Sequence, residues 1–506
     1  MSLAQSFGAV IQGVSGLIVT IEAYLSQGLP GMSLVGLPDT AVGESRDRVR
    51  AAIQNSQLNW PSERRITVGL SPASVHKRGA MLDLGIALAI LTAHSQIPPR
   101  PDLVAIGELA LDGTVRDVNG VLCATLVAKE SGKTTIMVPR HQVSQAKFIP
   151  GIEVVGVGTL AEAVGFLRGE ITLSSDCVPI PVQPKPDLDL RDVRGQQQAR
   201  YALEVAAAGG HHIAMLGSAG VGKSMLAARL PSLLPELDDD DSVQVTAIHS
   251  VAGQLPPDHG LIRHAPFQSP HHNATAAALI GGGNTVVKVG MVSLAHCGVL
   301  CLDEAAEFDR VVLDALRLPL ETGQVVIARA GFSATLPAKF QLVLATNPCP
   351  CGKFVDDGSQ CSCSPTTRRK YLSRISGPLL DRIDIRVTLQ KPTLADFDDD
   401  APEPESSAVV AARVLNARMR AKQRFADFPW KLNAEVPGAL LRRHFPPPPE
   451  TMRMLRQRIG GMSARGIDRV LRMSWTIADL HEHDVPTITD VQSALEFRDG
   501  GGSWEQ

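Results

Sequence analysis

IAMLGSAGVGKS, residues Ile213 to Ser224, decides the fold: four apolar residues, a glycine-rich turn, then a lysine and a hydroxyl residue. Ile213 to Leu216 reads as a buried strand and Met225 to Leu230 as a helix. Gly217, Ser218, Ala219, Gly220, Val221, Gly222, Lys223 and Ser224 therefore form a GxxxxGKS loop at a helix N-terminus, where free backbone N–H groups meet phosphate. The glycines let the backbone approach closely. About eighty positions on, VLCLDE (Val299 to Glu304) has the pattern of a buried parallel strand ending in adjacent carboxylates at the ligand crevice. The pair predicts a nucleotide hydrolase. Lys223 would neutralise the terminal phosphates of ATP, Ser224 and Asp303 would hold Mg²⁺, and Glu304 would polarise the attacking water. A chance turn or two solvated carboxylates would explain either motif alone, but not their order and spacing.

At 506 residues and 44% hydrophobic content the chain should form several globular domains. No apolar run of membrane-spanning length occurs, and the N-terminus lacks a basic-then-apolar leader, so a cytoplasmic protein without membrane contact is expected. A net charge of -3 gives no global electrostatic case for nucleic acid; such contacts would have to be local. The acid runs Asp238 to Asp241 and Asp398 to Asp400 read as solvated loops.

Four of the eight cysteines fall within fifteen residues, as CxC, nine residues, CxC. Clustering in a cytosolic chain points to metal, so Cys349, Cys351, Cys361 and Cys363 are expected to hold a structural Zn²⁺. A redox pair or an unmetallated loop is the alternative, because CxC is tighter than the usual zinc spacing. Cys123, Cys177, Cys297 and Cys301 read as small apolar residues.

Alternating strand-like and helix-like segments (Leu17 to Tyr24, Ser33 to Leu37, Ala41 to Ser56, Arg65 to Leu70, Leu82 to Ala93) predict a compact α+β domain over 1–170. A linker at 171–190, marked by Pro179, Pro181, Pro184 and Pro186, leads to an ATPase domain at 191–395 carrying the cysteine insert 349–363. An acidic linker at 396–407 precedes a wholly helical region, 408–506.

From Asp192 onward the residues DVRGQQQARYALEVAAAGGHHIAMLG, IHSVAG, SPHHNATAAALIGGG, SLAHCGVLCLDEAAEF, NPCPCG and YLSRISGPLLDRIDI resemble the ComM/YifB family of AAA+ ATPases, related to the ATPase subunit of magnesium chelatase. The resemblance implies an α/β AAA+ P-loop NTPase core, a parallel sheet with helices on both faces, ending in a helical lid. It also implies a homo-oligomeric ring, usually a hexamer, with ATP between subunits. Asn347 matches the polar sensor near the γ-phosphate, Arg382 the arginine finger reaching a neighbour's ATP, and Arg465 the lid arginine. Arg374 competes for the finger role. The N-terminal domain resembles the Lon-protease-like, ribosomal S5 domain 2 type through LSPASVHKRGAMLDLGIALAIL and GELALDGTVRDVNGV. Its matching segments, Lys77 to Asp83 and Asn119 to Ala124, carry neither nucleophile nor base, so no proteolysis is expected.

Two segments are expected to contact a substrate: Phe267 to Val289, with its Gly281 to Gly283 run, and a hairpin of strands Gln324 to Arg329 and Phe332 to Leu336 around Ala330 and Gly331. Arg329, Lys339, Lys288 and His271 or His272 could contact phosphates there; pairing within the subunit interface is the alternative. The resemblance implies a helicase or branch-migration motor on single-stranded or branched DNA, with recombination proteins as partners, in natural transformation. The rival is a magnesium-chelatase-like ATPase that remodels a protein, and a third reading is an assembly protein with slow hydrolysis. Several residues depart from the family pattern: Ser218 and Ala219 in the loop, Gln268 where arginine is common, Lys288 and Val289 in place of a Pro-rich turn, and Trp475 in the lid.

Overall fold

The computed structural model of the chain describes residues 2–37, 39–73, 75, 77, 79–173, 188–255, 259–282, 288–329, 332–354, 360–398, 403–458 and 462–500. The Pro-rich linker, Cys177, Gly283, Ala330, Gly331, Gly358, Asp399 and Asp400 lie outside them, as does the side chain of Arg329. Two compact units emerge: 1–183 with 239–262, and 184–238 with 263–506.

In the first unit, strand Ser15–Ser26 buries Val19, Ile21, Ala23 and Leu25, the period-two pattern of a half-buried strand. It pairs antiparallel with both Ser2–Gln12 and Arg65–Ser71. A seven-stranded mixed sheet results, in the order Gly31–Val35, Arg65–Ser71, Ser15–Ser26, Ser2–Gln12, Leu103–Ala105, Thr135–Pro139, Glu153–Val157. Helix Asp83–Ala93 is buried along almost its whole length. Asp239–Asp241, read from sequence as a solvated loop, instead form the first turn of helix Asp239–Val251. Three carboxylates are stabilising at that end because they face the positive pole of the helix dipole. This helix packs Ala247 against Leu122, Cys123 and Ile149, although sequence order places it inside the second unit.

The second unit is built on a five-stranded parallel sheet in the order Phe267–Gln268, Val299–Leu302, Gln341–Thr346, Ile213–Leu216, Ile385–Thr388. Ile213–Leu216, Val299–Leu302 and Gln341–Thr346 are buried throughout, as continuous apolar runs in parallel sheets should be. Strand order reverses beside Ile213–Leu216, which puts a crevice at its C-terminal end. Five helices follow: Ser407–Arg424, Gly438–His444, Pro449–Arg458, Ala464–Leu480 and Ile488–Asp499. Their cores merge with that of the sheet, and Trp475 is buried there with its indole N–H donating to Phe445 O at 3.0 Å. The fold is thus an α/β AAA+ P-loop core with a helical lid, accompanied by an N-terminal α+β domain.

Candidate functional site

The loop after Ile213–Leu216 needs glycine for two separate reasons. A Cβ at Gly217 would lie 2.9 Å from Val221 Cγ2 and 3.1 Å from the Leu389 carbonyl oxygen, so only a bare backbone fits. Gly222 has φ +97°, a left-handed setting, and leads directly into helix Lys223–Leu233. The N-terminus of that helix therefore faces the loop with its N–H groups unpaired by helix geometry, the arrangement that attracts anions.

Lys223 is buried, and its Nζ donates to Gly217 O and Ser218 O at 2.7 Å each and to Asn347 Oδ1 at 3.0 Å. Burial lowers the pKa of its ammonium, while the charges of Asp303 and Glu304 oppose that shift. Ser224 Oγ donates to Asp303 Oδ2 at 2.6 Å. A hydroxyl and a carboxylate meeting in this way form an oxygen donor pair suited to a hard cation such as Mg²⁺. Glu304 follows Asp303 with φ 52°, a left-handed backbone that costs a non-glycine residue of order 1–3 kcal/mol and is typical of functional sites. Its N–H donates to Asp303 Oδ1 at 2.9 Å.

Asn347, directly after strand Gln341–Thr346, thus pairs with Lys223, while the neighbouring residue Ser224 pairs with Asp303. The arginines differ from one another. Arg382 is nearly buried: Nη1 donates to Pro378 O at 2.7 Å and Nη2 pairs with Glu321. Arg374 has a side chain 48% exposed, with Nη1 3.0 Å from Ala306 O and 3.3 Å from Glu307 Oε2. Arg465 is exposed in the first turn of helix Ala464–Leu480.

The four cysteines converge, with all four sulfurs within 4.8 Å of one another. Cys349 Sγ lies 3.3 Å from Cys351 Sγ, and both lie 3.6 Å from Cys361 Sγ. A tetrahedron of Zn–S bonds has an edge of about 3.8 Å, so the set fits a zinc ion. The Lys353 backbone N–H, chief among several hydrogen bonds, lowers Cys351 to about 6, which favours a thiolate. This loop also touches the phosphate loop: Ala219 N donates to Gly352 O at 3.3 Å.

Sequence reasoning missed two contacts. His272 Nδ1 lies 3.2 Å from Glu304 Oε2, where a phosphate contact was expected of His271 or His272. Gln196 donates to Val221 O at 3.3 Å, supporting the loop from the DVRGQQQAR stretch, to which sequence reading gave no role. In the N-terminal domain, the segments that match the Lon-like pattern present Met81, Leu82, Val121 and Leu122, all buried and apolar. Burial pushes the Cys123 thiol up to about 12.

Comparison with known proteins accounts for this assembly. Residues 189–397 match the family described as magnesium chelatase, subunit ChlI; 21–142 match subunit ChlI of Mg-chelatase, and 404–498 its C-terminal family. Competence protein ComM of Haemophilus influenzae is 39% identical over 507 residues, covering 98% of each chain. The chain belongs to the ComM/YifB family. Protein YifB of Escherichia coli is 38% identical over 502 residues, 98% of this chain and 97% of its own. A Mycobacterium tuberculosis protein of the same extent is 47% identical over 505 residues, 99% of each. A partial match, 26% identical over 149 residues and 28% of this chain, links it to a Lon protease of Trichlorobacter lovleyi. Among its described residues this ComM/YifB member has no helix long and apolar enough to cross a membrane.

Proposed function

We propose that this chain is a Mg²⁺-dependent ATPase that works as a ring, a hexamer by family resemblance, and moves on single-stranded or branched DNA. The observation that supports hydrolysis most directly is the convergence of Lys223, Ser224, Asp303 and Asn347 around one glycine loop, with Glu304 beside them. ATP phosphates take the place of the loop carbonyls on Lys223. Ser224 and Asp303 would hold Mg²⁺, which would supply charge neutralisation for the phosphates. Glu304 orients a water whose oxygen bonds to the γ-phosphorus as the bridging P–O bond breaks. ADP leaves with that bond's electron pair, and the water proton passes to Glu304 or the released phosphate. Asn347 orients the γ-phosphate, and Arg465 contacts it from the lid.

Arg382 is assigned as the finger supplied to a neighbour by its motif, and its pairing with Glu321 must break for it to act. Arg374 is the second reading, favoured by its exposure. Cys349, Cys351, Cys361 and Cys363 hold one structural Zn²⁺, which elemental analysis should show at about one per chain. The N-terminal domain is a scaffold without protease activity, because its matching segments offer no accessible nucleophile.

DNA action is supported by the name of the Haemophilus relative, a competence protein. A magnesium-chelatase-like ATPase acting on a protein partner is the rival, supported by the matching families. ATP turnover measured with and without forked or single-stranded DNA, at low and moderate salt, divides them. Stimulation that fades with salt supports a motor on phosphate backbone. No stimulation and no salt-sensitive binding would sink the DNA reading.

A further inference from the structure

The turn between the last two helices of the lid gathers two imidazoles on one buried carboxylate. Helix Ala464–Leu480 closes as His481 N donates to Ile477 O at 3.0 Å and His483 N to Ala478 O at 2.8 Å. Between them Glu482 takes φ 59°, a left-handed setting uncommon for a residue with a Cβ, and the chain reverses there. Asp490 follows, fully buried in the first turn of helix Ile488–Asp499. His481 Nδ1 lies 3.0 Å from its Oδ1 and His483 Nδ1 2.8 Å from its Oδ2. Each residue brings one ligand atom to within 4.8 Å of the other two.

The two carboxylate oxygens are not equivalent. Oδ2 accepts from Thr487 N at 2.8 Å and from Thr487 Oγ1 at 2.7 Å, which completes the cap of the helix without Oδ1. Oδ1 has His481 alone as its partner among the described residues. On the other side of that ring, His481 Nε2 lies 3.3 Å from the Tyr201 hydroxyl oxygen. A metal-ligating imidazole characteristically places its second ring N–H on an oxygen in this way. The cluster also sits at the C-terminal, negative end of a 17-residue helix, which favours a cation.

We propose that His481, His483 and Asp490 form a metal site, separate from the cysteines, for a divalent transition ion such as Zn²⁺, Co²⁺ or Ni²⁺. Its ligands would be the two Nδ1 atoms and Asp490 Oδ1, with both rings neutral and protonated at Nε2, and with water completing the coordination. Two nitrogens and one oxygen suit such an ion better than Mg²⁺ or Ca²⁺, which take oxygen. Ligand atoms around it stand about 3.3 Å apart, so the imidazoles must withdraw slightly from the carboxylate. Side-chain exposures of 46% for His481 and 38% for His483 allow that movement. The same exposure lets the ion exchange with solvent, so the site fills from added metal and is not retained through purification. Bound there, the ion clamps the end of one lid helix to the start of the next.

The test uses the full chain, free of any affinity tag and with zinc supplied to the cysteines beforehand. Co²⁺ is then titrated in and followed by equilibrium dialysis and by absorbance. Wild type should take up about one further Co²⁺ per chain, with the weak bands of nitrogen and oxygen ligation and without the intense thiolate-to-cobalt band that marks cysteine. His481→Gln and His483→Gln should each weaken uptake at least about tenfold. Co²⁺ should raise the Tm of wild type and not that of the double variant, because only a site in the folded chain stabilises it. No uptake by wild type at submillimolar Co²⁺ overturns the proposal, and that reading does not depend on how the variants fold. Uptake that shows only the thiolate band, or uptake and a Tm rise that survive both substitutions together, overturns it as well.

Discussion

Ser218 Oγ is buried in the phosphate loop with no hydrogen-bond partner among the described residues. A buried hydroxyl left unpaired costs of order 1–3 kcal/mol, so Ser218→Ala should raise stability by about 1 kcal/mol, read as a shift in the denaturant midpoint. Nucleotide affinity should hold, because the phosphate ligands proposed for the loop are backbone N–H groups and Lys223. Lys223→Ala should do the reverse, leaving the fold intact and abolishing ATP binding. At this scale the sequence was informative where chemistry is local. The spacing of GSAGVGKS and the Asp303–Glu304 pair required only chain order. The contact of His272 with Glu304 was invisible, since it depends on which strand lies beside Val299–Leu302.

Between elements, the segment carrying Arg382 is tied to the lid by buried charge. Asp384 pairs with Arg469 of helix Ala464–Leu480 and lies 3.4 Å from His211 Nδ1, while Asp381 pairs with Arg498 of helix Ile488–Asp499 at 2.9 Å. Burial alone would raise the pKa of Asp384, but Arg469 and His211 outweigh it and hold the carboxyl well below its usual 3.8. Asp384→Asn should destabilise the chain by about 3–5 kcal/mol, because it leaves Arg469 buried without its counter-charge. The unfolded carboxyl takes up its proton at higher pH than the folded one. The contribution is therefore complete above pH 3.8 and lost as pH falls further, so wild type and variant should converge in acid unfolding titrations. Element type was legible here too: the hairpin Gln324–Arg329 with Phe332–Pro337 and the helical C-terminal region follow from periodicity. Strand Ser2–Gln12 escaped, since its mixture of small and polar residues alternates weakly. The attachment of helix Asp239–Val251 to Leu122 and Cys123 escaped because packing partners carry no local signature.

For the molecule as a whole, the proposed finger arginine, if supplied in trans, would make catalysis a property of pairs of chains. Mixing Lys223→Ala with Arg382→Ala should restore part of the turnover that each variant lacks, because some mixed interfaces keep an intact loop and an intact finger. Recovery with Arg374→Ala in place of Arg382→Ala would move the assignment to Arg374. No recovery with either, across mixing ratios, would count against catalysis between subunits.

The bond from Ala219 to Gly352 joins the cysteine loop to the glycine loop, and under the proposed function it would give the cysteines a say in how tightly ATP is held. Gly352 lies next to Cys351, so whatever fixes the sulfurs also fixes the carbonyl that braces the phosphate loop. Treatment with a strong chelator should weaken ATP binding, with recovery on adding back zinc, while Cys363→Ser should weaken it permanently. If the cysteines hold zinc as proposed, a preparation that lost it during purification would look like a dead enzyme with every residue of GSAGVGKS in place. Metal content is thus the first thing to measure in any sample that fails to turn over ATP.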